Sequence, residues 1–264
     1  MVEIIGKAKE LDPDTVIVDR FGKSYEYPRK VNALETVVDI DSTQYAMVQE
    51  GDGANYSVNF VISMRQGHGG KKQEDAIVEV LKQGLQVPRT RVFMKHLLNV
   101  NQALNKKGVV YDVGGNILEG ERLKGYAHTL NRNCWVWFND ALEKSKVDEG
   151  HLGLELVTIT GLENGKPVYK RELLKPCLSK DCYASLDSAN EQGFLTEKSP
   201  IQKYEAGKSV YFIHPREDSA VRWNAYSVNA VLYCGWYRQD SSPWLGVFDL
   251  ASAKGASLGK MIDN

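Results

Sequence analysis

The chain has 264 residues, of which 42% are hydrophobic and 25% are charged, so it can bury one large core or two small ones. Its 33 basic residues nearly balance its 34 acidic residues, and the formal net charge is -1. This balance excludes a strong bulk attraction to nucleic acid or to an anionic membrane surface, and we expect neither as a partner.

The beginning of the chain lacks the features of a secretory signal. Residues 1–7 contain no basic segment followed by a long apolar run, and no apolar run in the chain approaches the ~20 residues of a membrane-spanning helix. We therefore expect a soluble protein that does not insert into a membrane. It would be cytoplasmic by default, or displayed at a surface by a route that the sequence does not reveal.

Short strands are predicted in the first part of the chain. Residues 15–18 and 56–62 are rich in β-branched and aromatic side chains, which favour strands. The glycine-rich run at residues 67–72 lacks the spacing of a phosphate-binding loop, which favours a flexible loop over an anion site. We expect residues 1–66 to form a β-rich N-terminal segment, either separate from or integral to a domain spanning residues 67–264.

Three helices are predicted next. The first follows Glu74 and Asp75, which suit a helix N-terminus, and ends before Pro88. The second extends from about Val92 to Leu104, and the third covers residues 118–130. The apolar positions that recur at helical spacing are Ala76, Ile77, Val80, Leu81 and Leu85, then Val92, Phe93, His96, Leu97, Val100 and Leu104, then Leu118, Leu123, Tyr126 and Leu130.

Strands dominate the remainder of the pattern. Residues 134–138 are apolar on both faces and predict either a fourth helix or a buried strand. Residues 152–160 alternate and lead to an Asn164-Gly165 turn, and residues 209–214 form another strand-like run. Helices in the middle with strands on both sides indicate an α+β fold.

The side chains that commonly carry chemistry are scattered. The four cysteines have no C-x-x-C spacing, so we expect free thiols, with a Cys177–Cys182 disulfide as the alternative. Asn139 and Asp140 are expected on the polar face of a helix, and no clustered acidic loop supplies the six to eight oxygens that calcium requires. His96 is expected to be semi-buried and hydrogen-bonded rather than a catalytic base. We expect no metal and no cofactor.

Residues 221–248 have an unusual composition. They contain three of the five tryptophans and three tyrosines, interspersed with Asn, Ser and Asp. Tyr and Trp offer large contact areas at low entropic cost, and Asn and Ser offer adaptable hydrogen bonds, so the mixture is typical of recognition surfaces. The alternative is that Trp223, Trp236 and Trp244 simply belong to the core.

Strand alternation divides this stretch into two faces. Ala230, Leu232 and Cys234 share one face of a strand, and we expect this face to be buried. The other face carries Asn229, Val231, Tyr233 and Gly235. Residues 245–247 are expected to form the next core strand, and residues 239–243 the loop between the two.

This stretch resembles a known family. The pattern is similar to the invariant scaffold of variable proteins diversified by retroelements, in the archaeal subclass with a C-type lectin fold, at Arg222, Ala225, Ser227, Ala230, Leu232, Cys234, Ser241, Pro243 and Leu245-Gly246-Val247. The resemblance covers about residues 88–250. It implies a C-type lectin-like fold with helices packed on a small twisted antiparallel sheet, and a variable region at about residues 221–248.

In that family, adenines of a template copy are miscopied, so AAC codons become codons of the form NNC. Such codons encode Tyr, Asn, Ser, Asp, Gly, Val or Phe but neither Trp nor Gln, so Trp236 would need a different template codon and Gln239 fits poorly. Carried over by position, the resemblance implies that the ligand-facing residues are Asn224, Tyr226, Asn229, Tyr233, Gly235, Trp236, Tyr237, Asp240, Ser242, Trp244 and Phe248.

The function implied by the resemblance is binding without a reaction. The ligand would be a macromolecule, expected to be a protein on another cell or virus, recognised by Tyr and Trp anchors with Asn, Asp and Ser adjusting the hydrogen bonds. One alternative is an enzyme related to the lectin-fold formylglycine-generating type, which requires an exposed and reactive Cys234. Another is a viral or tail component with a fixed partner.

Overall fold

The computed structural model describes residues 16–18, 24–26, 36, 38–52, 55–147, 149–258 and 260–261. Within these residues the architecture is mixed, with three α-helices and thirteen strands. Of the strand predicted at residues 15–18, Thr15 lies outside the described residues. The elements are β1 Val16–Val18, β2 Ser24–Glu26, β3 Tyr45–Asp52, β4 Asn55–Ser63, α1 Gln73–Lys82, α2 Thr90–Leu104, α3 Gly120–Arg132, β5 Cys134–Lys144, β6 Leu154–Glu163, β7 Lys166–Leu173, β8 Cys182–Ser185, β9 Ser209–Ile213, β10 Ser219–Tyr226, β11 Asn229–Tyr237, β12 Leu250–Leu258 and β13 Lys260–Met261.

The central layer is a seven-stranded sheet in the order β7-β6-β5-β10-β11-β9-β8. Neighbouring strands are antiparallel except for β11 and β9, which are parallel. The expectation of a small antiparallel sheet is therefore wrong in size and in this one pairing. The parallel pair arises because the β10–β11 hairpin places β11 between β9 and β10, so that the chain reverses twice before it returns beside β9.

The predicted helices are present, and each begins close to its expected position. The turn predicted at Asn164 and Gly165 joins β6 to β7, and both residues have positive φ angles of 51° and 76°. Two successive positive φ angles are what a tight two-residue hairpin requires, which is why Asn-Gly is favoured there.

The undecided apolar run at residues 134–138 is the start of strand β5. This strand continues through Asn139 and Asp140, so the expectation that these two lie on a helix is wrong. Both are buried in the sheet. The Asn139 side chain pairs with the backbone of Ile159 on β6, donating at 2.7 Å and accepting at 3.0 Å. The Asn139 side chain therefore takes the place of a β5 backbone group as the hydrogen-bond partner of Ile159. This occurs where the register of β5 is irregular.

Asp140 joins β5 to the beginning of α2. Its carboxylate accepts hydrogen bonds from the Thr90 amide at 2.6 Å, from Arg89 Nε at 3.0 Å and from the Thr158 hydroxyl at 2.9 Å. Burial raises the pKa of Asp140, whereas Arg89 and the Thr90 amide favour its charged form. The carboxylate thus satisfies a backbone donor at the N-terminus of α2 that the helix itself leaves free.

Helices α2 and α3 cover one face of the central sheet. The main core contains buried side chains of both helices together with Val136, Trp223 and Leu232 of the sheet. Ala46 and Ile62 of the N-terminal strands β3 and β4 belong to the same cluster. Strand β12 pairs with β4 and strand β13 with β2, so the C-terminal strands lie beside strands of the N-terminal segment.

His96 on α2 contacts Tyr126 on α3. The expectation that it is semi-buried is wrong, because its side chain is fully buried. Its Nε2 lies 2.7 Å from the Tyr126 hydroxyl, and its Nδ1 has no hydrogen-bond partner among the described residues. Burial lowers the pKa of His96 to about 3, so the ring is neutral in the folded protein at pH 7.

The buried His96 predicts a loss of stability in mild acid. The unfolded chain binds a proton at this ring near pH 6.5, whereas the folded protein does not until about pH 3. Stability therefore falls as pH falls below 6.5, by about 2 kcal/mol at pH 5 from this group alone. Denaturant titrations of the wild type and of His96→Gln at pH 7.5 and pH 5 measure the effect, because glutamine keeps a partner for Tyr126 but does not titrate. An equal acid loss in both proteins contradicts the assignment.

Candidate ligand-binding surface

The β10–β11 hairpin separates its two faces as the alternation predicts. Ala230, Leu232 and Cys234 are buried against the helices, and Trp223 donates from Nε1 to the Leu130 carbonyl of α3 at 2.8 Å. The alternative that all three tryptophans belong to the core therefore holds for Trp223 only, because Trp236 is half-buried and Trp244 is exposed. Val231 departs from the prediction, because it is also buried although it points to the other face.

Most of the residues predicted to face a ligand lie at the surface of this hairpin and of the loop that follows it. Tyr237 and Trp244 are 80% and 71% exposed. We use the term C-terminal surface for the exposed and half-buried members of the predicted set, which are Tyr226, Asn229, Tyr233, Gly235, Trp236, Tyr237, Asp240, Ser242 and Trp244.

Two members of the predicted set are not at the surface. Asn224 is 1% exposed, because it lies in the middle of the sheet between Trp135 on β5 and Val231 on β11. Phe248 is fully buried, and its ring stacks on Phe93 of α2 with centroids 5.8 Å apart. The assignment of these two residues as ligand-facing is wrong in this structure, since the chain returns to the core before residue 248.

The buried Arg222 side chain contacts three residues of the C-terminal surface. Its guanidinium carbon lies 3.6 Å from the ring centroid of Trp236 and 4.8 Å from that of Tyr233. Asp240 Oδ2 accepts from Arg222 Nη1 at 3.3 Å and from Trp236 Nε1 at 2.7 Å. Burial lowers the pKa of Arg222 to about 10, so the side chain remains charged at neutral pH. A buried cation is thereby compensated by one carboxylate and by the faces of aromatic rings.

The family resemblance places Arg222 in the invariant scaffold but does not indicate that it contacts several residues of the C-terminal surface. Tyr233, Trp236 and Asp240 lie eleven to eighteen residues away along the chain, and the Trp137 ring on β5 has its centroid 5.7 Å from the guanidinium carbon. Only the strand register brings them together, since Arg222 is paired with Tyr233 across the hairpin. A substitution at one position around Arg222 is therefore expected to change the stability effect of a substitution at another.

This dependence is measurable by a double-mutant cycle. Asp240→Ala leaves the buried Arg222 without its carboxylate, and we expect it to lower the free energy of unfolding by about 1–3 kcal/mol. The same change in an Arg222→Met background should cost less, giving a coupling energy of about 1–2 kcal/mol. Chemical denaturation of the four proteins tests this. Glu121→Ala, which removes the exposed pair with Lys124, is the control, and we expect no resolvable change because water screens this pair. A coupling energy near zero would show that Arg222 and Asp240 contribute to stability independently.

The loop after β11 surrounds an open depression of about 670 Å³ lined by Asp218, Trp236, Tyr237, Arg238, Gln239 and Asp240. Arg238 anchors the first part of the loop, because its Nη1 donates to Glu143 on β5 at 2.6 Å. The lining mixes aromatic rings with charged and amide groups, a combination that suits contact with a polar macromolecular surface.

The glycine-rich run at residues 67–72 supports the far end of this loop. The Gly67 amide and carbonyl exchange hydrogen bonds with Val247, and Gln66 Nε2 donates to the Trp244 carbonyl at 2.7 Å. A Cβ atom at Gly246 would lie 2.2 Å from the Gly67 carbonyl oxygen, so only glycine fits there. Residues 245–247 are buried as predicted, but they form isolated bridges rather than a regular strand.

Comparison with protein-family models, with curated proteins and with solved structures finds no match to this chain. The interpretation of the C-terminal surface therefore depends on the residues themselves.

The cysteines lack the environment of a reactive nucleophile. Cys234 is fully buried, and burial raises the pKa of its thiol well above the usual range. The enzyme alternative requires this thiol to be exposed, and that requirement is not met. Cys177 and Cys182 are both free, so the alternative of a disulfide between them is wrong for this structure.

A nucleophile elbow and a metal-binding cluster are also absent from the described part of the chain. Residues 255–259 match the Gly-x-Ser-x-Gly spacing of a hydrolase nucleophile, but Ser257 lies within strand β12 rather than on a strand-to-helix turn. No group of three His, Cys, Asp or Glu side chains suitable for a metal ion occurs among the described residues.

None of the described helices has the length and apolar character needed to span a membrane.

Proposed function

We propose that this chain is a ligand-binding variable protein with a C-type lectin fold, of the kind diversified by retroelements, and that it binds a macromolecular ligand through the C-terminal surface. The ligand is a protein on another cell or virus. Binding requires no catalytic group. The polarity and shape of the ligand are matched by aromatic anchors such as Tyr237 and Trp244, with Asn229, Asp240 and Ser242 supplying hydrogen bonds.

The observation that carries the proposal is the correspondence between the family pattern and burial. Most positions that the pattern treats as invariant are buried, including Ala225, Ala230, Leu232, Cys234 and Leu245. Most positions that it treats as varied reach the surface, with Asn224 and Phe248 as the exceptions. A protein that tolerates replacement of surface side chains needs this separation, because surface substitutions cost little and core substitutions cost much. Packing of α2 and α3 on one face of the sheet supports the fold assignment.

The genomic DNA around the coding sequence tests the retroelement part of the proposal. We expect a near-identical copy of the segment encoding residues 221–248, with differences confined to adenines, and an adjacent reverse transcriptase gene. If neither is found, the proposal of a diversified receptor is wrong. The interpretation is then a binding protein with one fixed partner.

The buried scaffold is expected to tolerate several substitutions on the C-terminal surface at once. Combining Tyr226→Ser, Tyr237→Asp and Ser242→Asn, all encoded by NNC codons, should change the free energy of unfolding by about 2 kcal/mol or less. The matched control introduces equally polar residues on the inner face, as Ala225→Ser, Ala230→Asp and Cys234→Asn, and should prevent folding because unpartnered polar groups would enter the core. Circular dichroism with thermal melting distinguishes the two. Similar destabilisation of both triple variants would contradict the proposed scaffold.

A further inference from the structure

The strand register aligns five side chains across the outer face of the central sheet. Trp135 on β5 is paired with Asn224 on β10, Asn224 with Val231 on β11, Val231 with Tyr211 on β9, and Tyr211 with Tyr183 on β8. Paired residues of neighbouring strands project to the same side of a sheet. We call these five residues the aromatic row. With strands about 4.8 Å apart, the row is roughly 19 Å long.

The two ends of the aromatic row are partly open to solvent, and at one end Trp135 contacts Tyr226 of the C-terminal surface. Trp135, Tyr183 and Tyr211 are each half-buried. Trp135 contacts Tyr226 edge to face with centroids 4.9 Å apart, and Tyr183 contacts Tyr211 in the same manner at 5.2 Å. The aromatic surface therefore extends onto three strands that lie outside residues 221–248.

The middle of this face contains polar atoms without partners. Asn224 Oδ1, Asn229 Oδ1 and Arg222 Nε are buried and make no hydrogen bond with any described residue. A buried polar atom left without a partner costs about 1–3 kcal/mol, and native proteins tolerate few of them. Asn224 and Arg222 are covered by the protein itself, whereas Asn229 is half-buried at the end of the hairpin, where a ligand would supply the missing donor.

We propose that the ligand-binding surface includes the fixed aromatic residues Trp135, Tyr183 and Tyr211, and that they contact an uncharged segment of a polypeptide ligand. This rests on the proposed binding function. The aromatic row carries no charge, and the nearby cation Arg216 is paired with Asp181 at 3.2 Å. A polypeptide segment supplies apolar side chains for the rings and a backbone N–H group for the free oxygen of the half-buried Asn229. Part of the recognition surface is then constant, whatever residues occupy the C-terminal surface.

Peptides selected from a random phage-displayed library on the full-length protein provide the probe. We expect Tyr183→Ala and Tyr211→Ala each to raise the peptide Kd about tenfold or more, as Tyr237→Ala should. Tyr169→Ala is the matched control, because this tyrosine is exposed on β7 at the opposite edge of the sheet. Hydrogen exchange of the wild type with and without peptide gives a second measurement that needs no variant, and we expect added protection in β8 and β9.

The possible results separate this inference from the proposed function. Loss of binding in Tyr237→Ala alone, without protection of β8 and β9, overturns the inference but leaves the proposed function standing. Loss in Tyr183→Ala and Tyr211→Ala alone supports the inference and argues against the C-terminal surface as the main contact. Loss in none of the three overturns both. Binding to a glycan array that depends on Tyr211, with no peptide selected, overturns the assignment of the ligand as a polypeptide.

Discussion

Replacing Asp140 with alanine is expected to lower the free energy of unfolding by about 3–5 kcal/mol, the range seen when one partner of a buried charged network is removed. Three donors would lose their acceptor, namely Arg89 Nε, the Thr90 amide and the Thr158 hydroxyl. The Thr90 amide belongs to the first turn of α2, so the helix would also lose the carboxylate at its positive end.

Glu172→Gln is the control for this change. Glu172 accepts from the same arginine, at 2.6 Å from Nη2, but its side chain is 31% exposed. We expect a change of about 1 kcal/mol or less, because water competes with a partly exposed pair. Urea or guanidinium titrations of both variants provide the free energies. If the two changes cost the same, Asp140 does not have the connecting role that its contacts indicate.

Replacing Leu232 with alanine is expected to cost about 2–5 kcal/mol, whereas Tyr237→Ala should change the free energy of unfolding by about 0.5 kcal/mol or less. Both residues lie on β11, but Leu232 is fully buried in the main core and Tyr237 is 80% exposed. The pair therefore measures the difference between the two faces of one strand. The proposed function depends on this difference.

Tyr233 provides an intermediate case on the same strand. Its position on the outer face predicts a small effect, but its ring lies 4.8 Å from the Arg222 guanidinium and 5.4 Å from the Trp236 ring. We therefore expect Tyr233→Ala to cost about 1 kcal/mol, more than Tyr237→Ala and less than Leu232→Ala. Thermal and denaturant unfolding of the three variants gives the order. Equal losses at all three positions would show that the tyrosines are core residues.

The contacts of Arg222 limit how freely the C-terminal surface can vary. A replacement at Trp236 or Asp240 removes a contact from a buried cation, whereas one at Tyr237 or Trp244 removes mainly exposed area. Gly235 is constrained in a different way, because a Cβ atom there would lie 2.8 Å from Cδ of Arg216. Positions of the C-terminal surface therefore differ in the stability cost of replacing them.

Local patterns of the sequence predicted the elements well. Helical spacing located α1, α2 and α3, and Asn164-Gly165 located a hairpin turn, because these structures depend on residues close together along the chain. Alternation also assigned Ala230, Leu232 and Cys234 to the buried face of β11. The run at residues 134–138 remained undecided because an apolar segment buried on both faces has the same composition in a helix and in a strand.

The sequence by itself determined that Ala230, Leu232 and Cys234 of β11 face the core, since strand alternation is a local property of the chain. Only the tertiary structure decided that Asn224 and Phe248 are buried, that Asp140 connects β5 to α2, and that Arg222 lies beneath Trp236 and Asp240. It also aligned Trp135 with Tyr183 across five strands. These features depend on strand order and register, which are set by pairings between distant segments and leave no local signal in the chain.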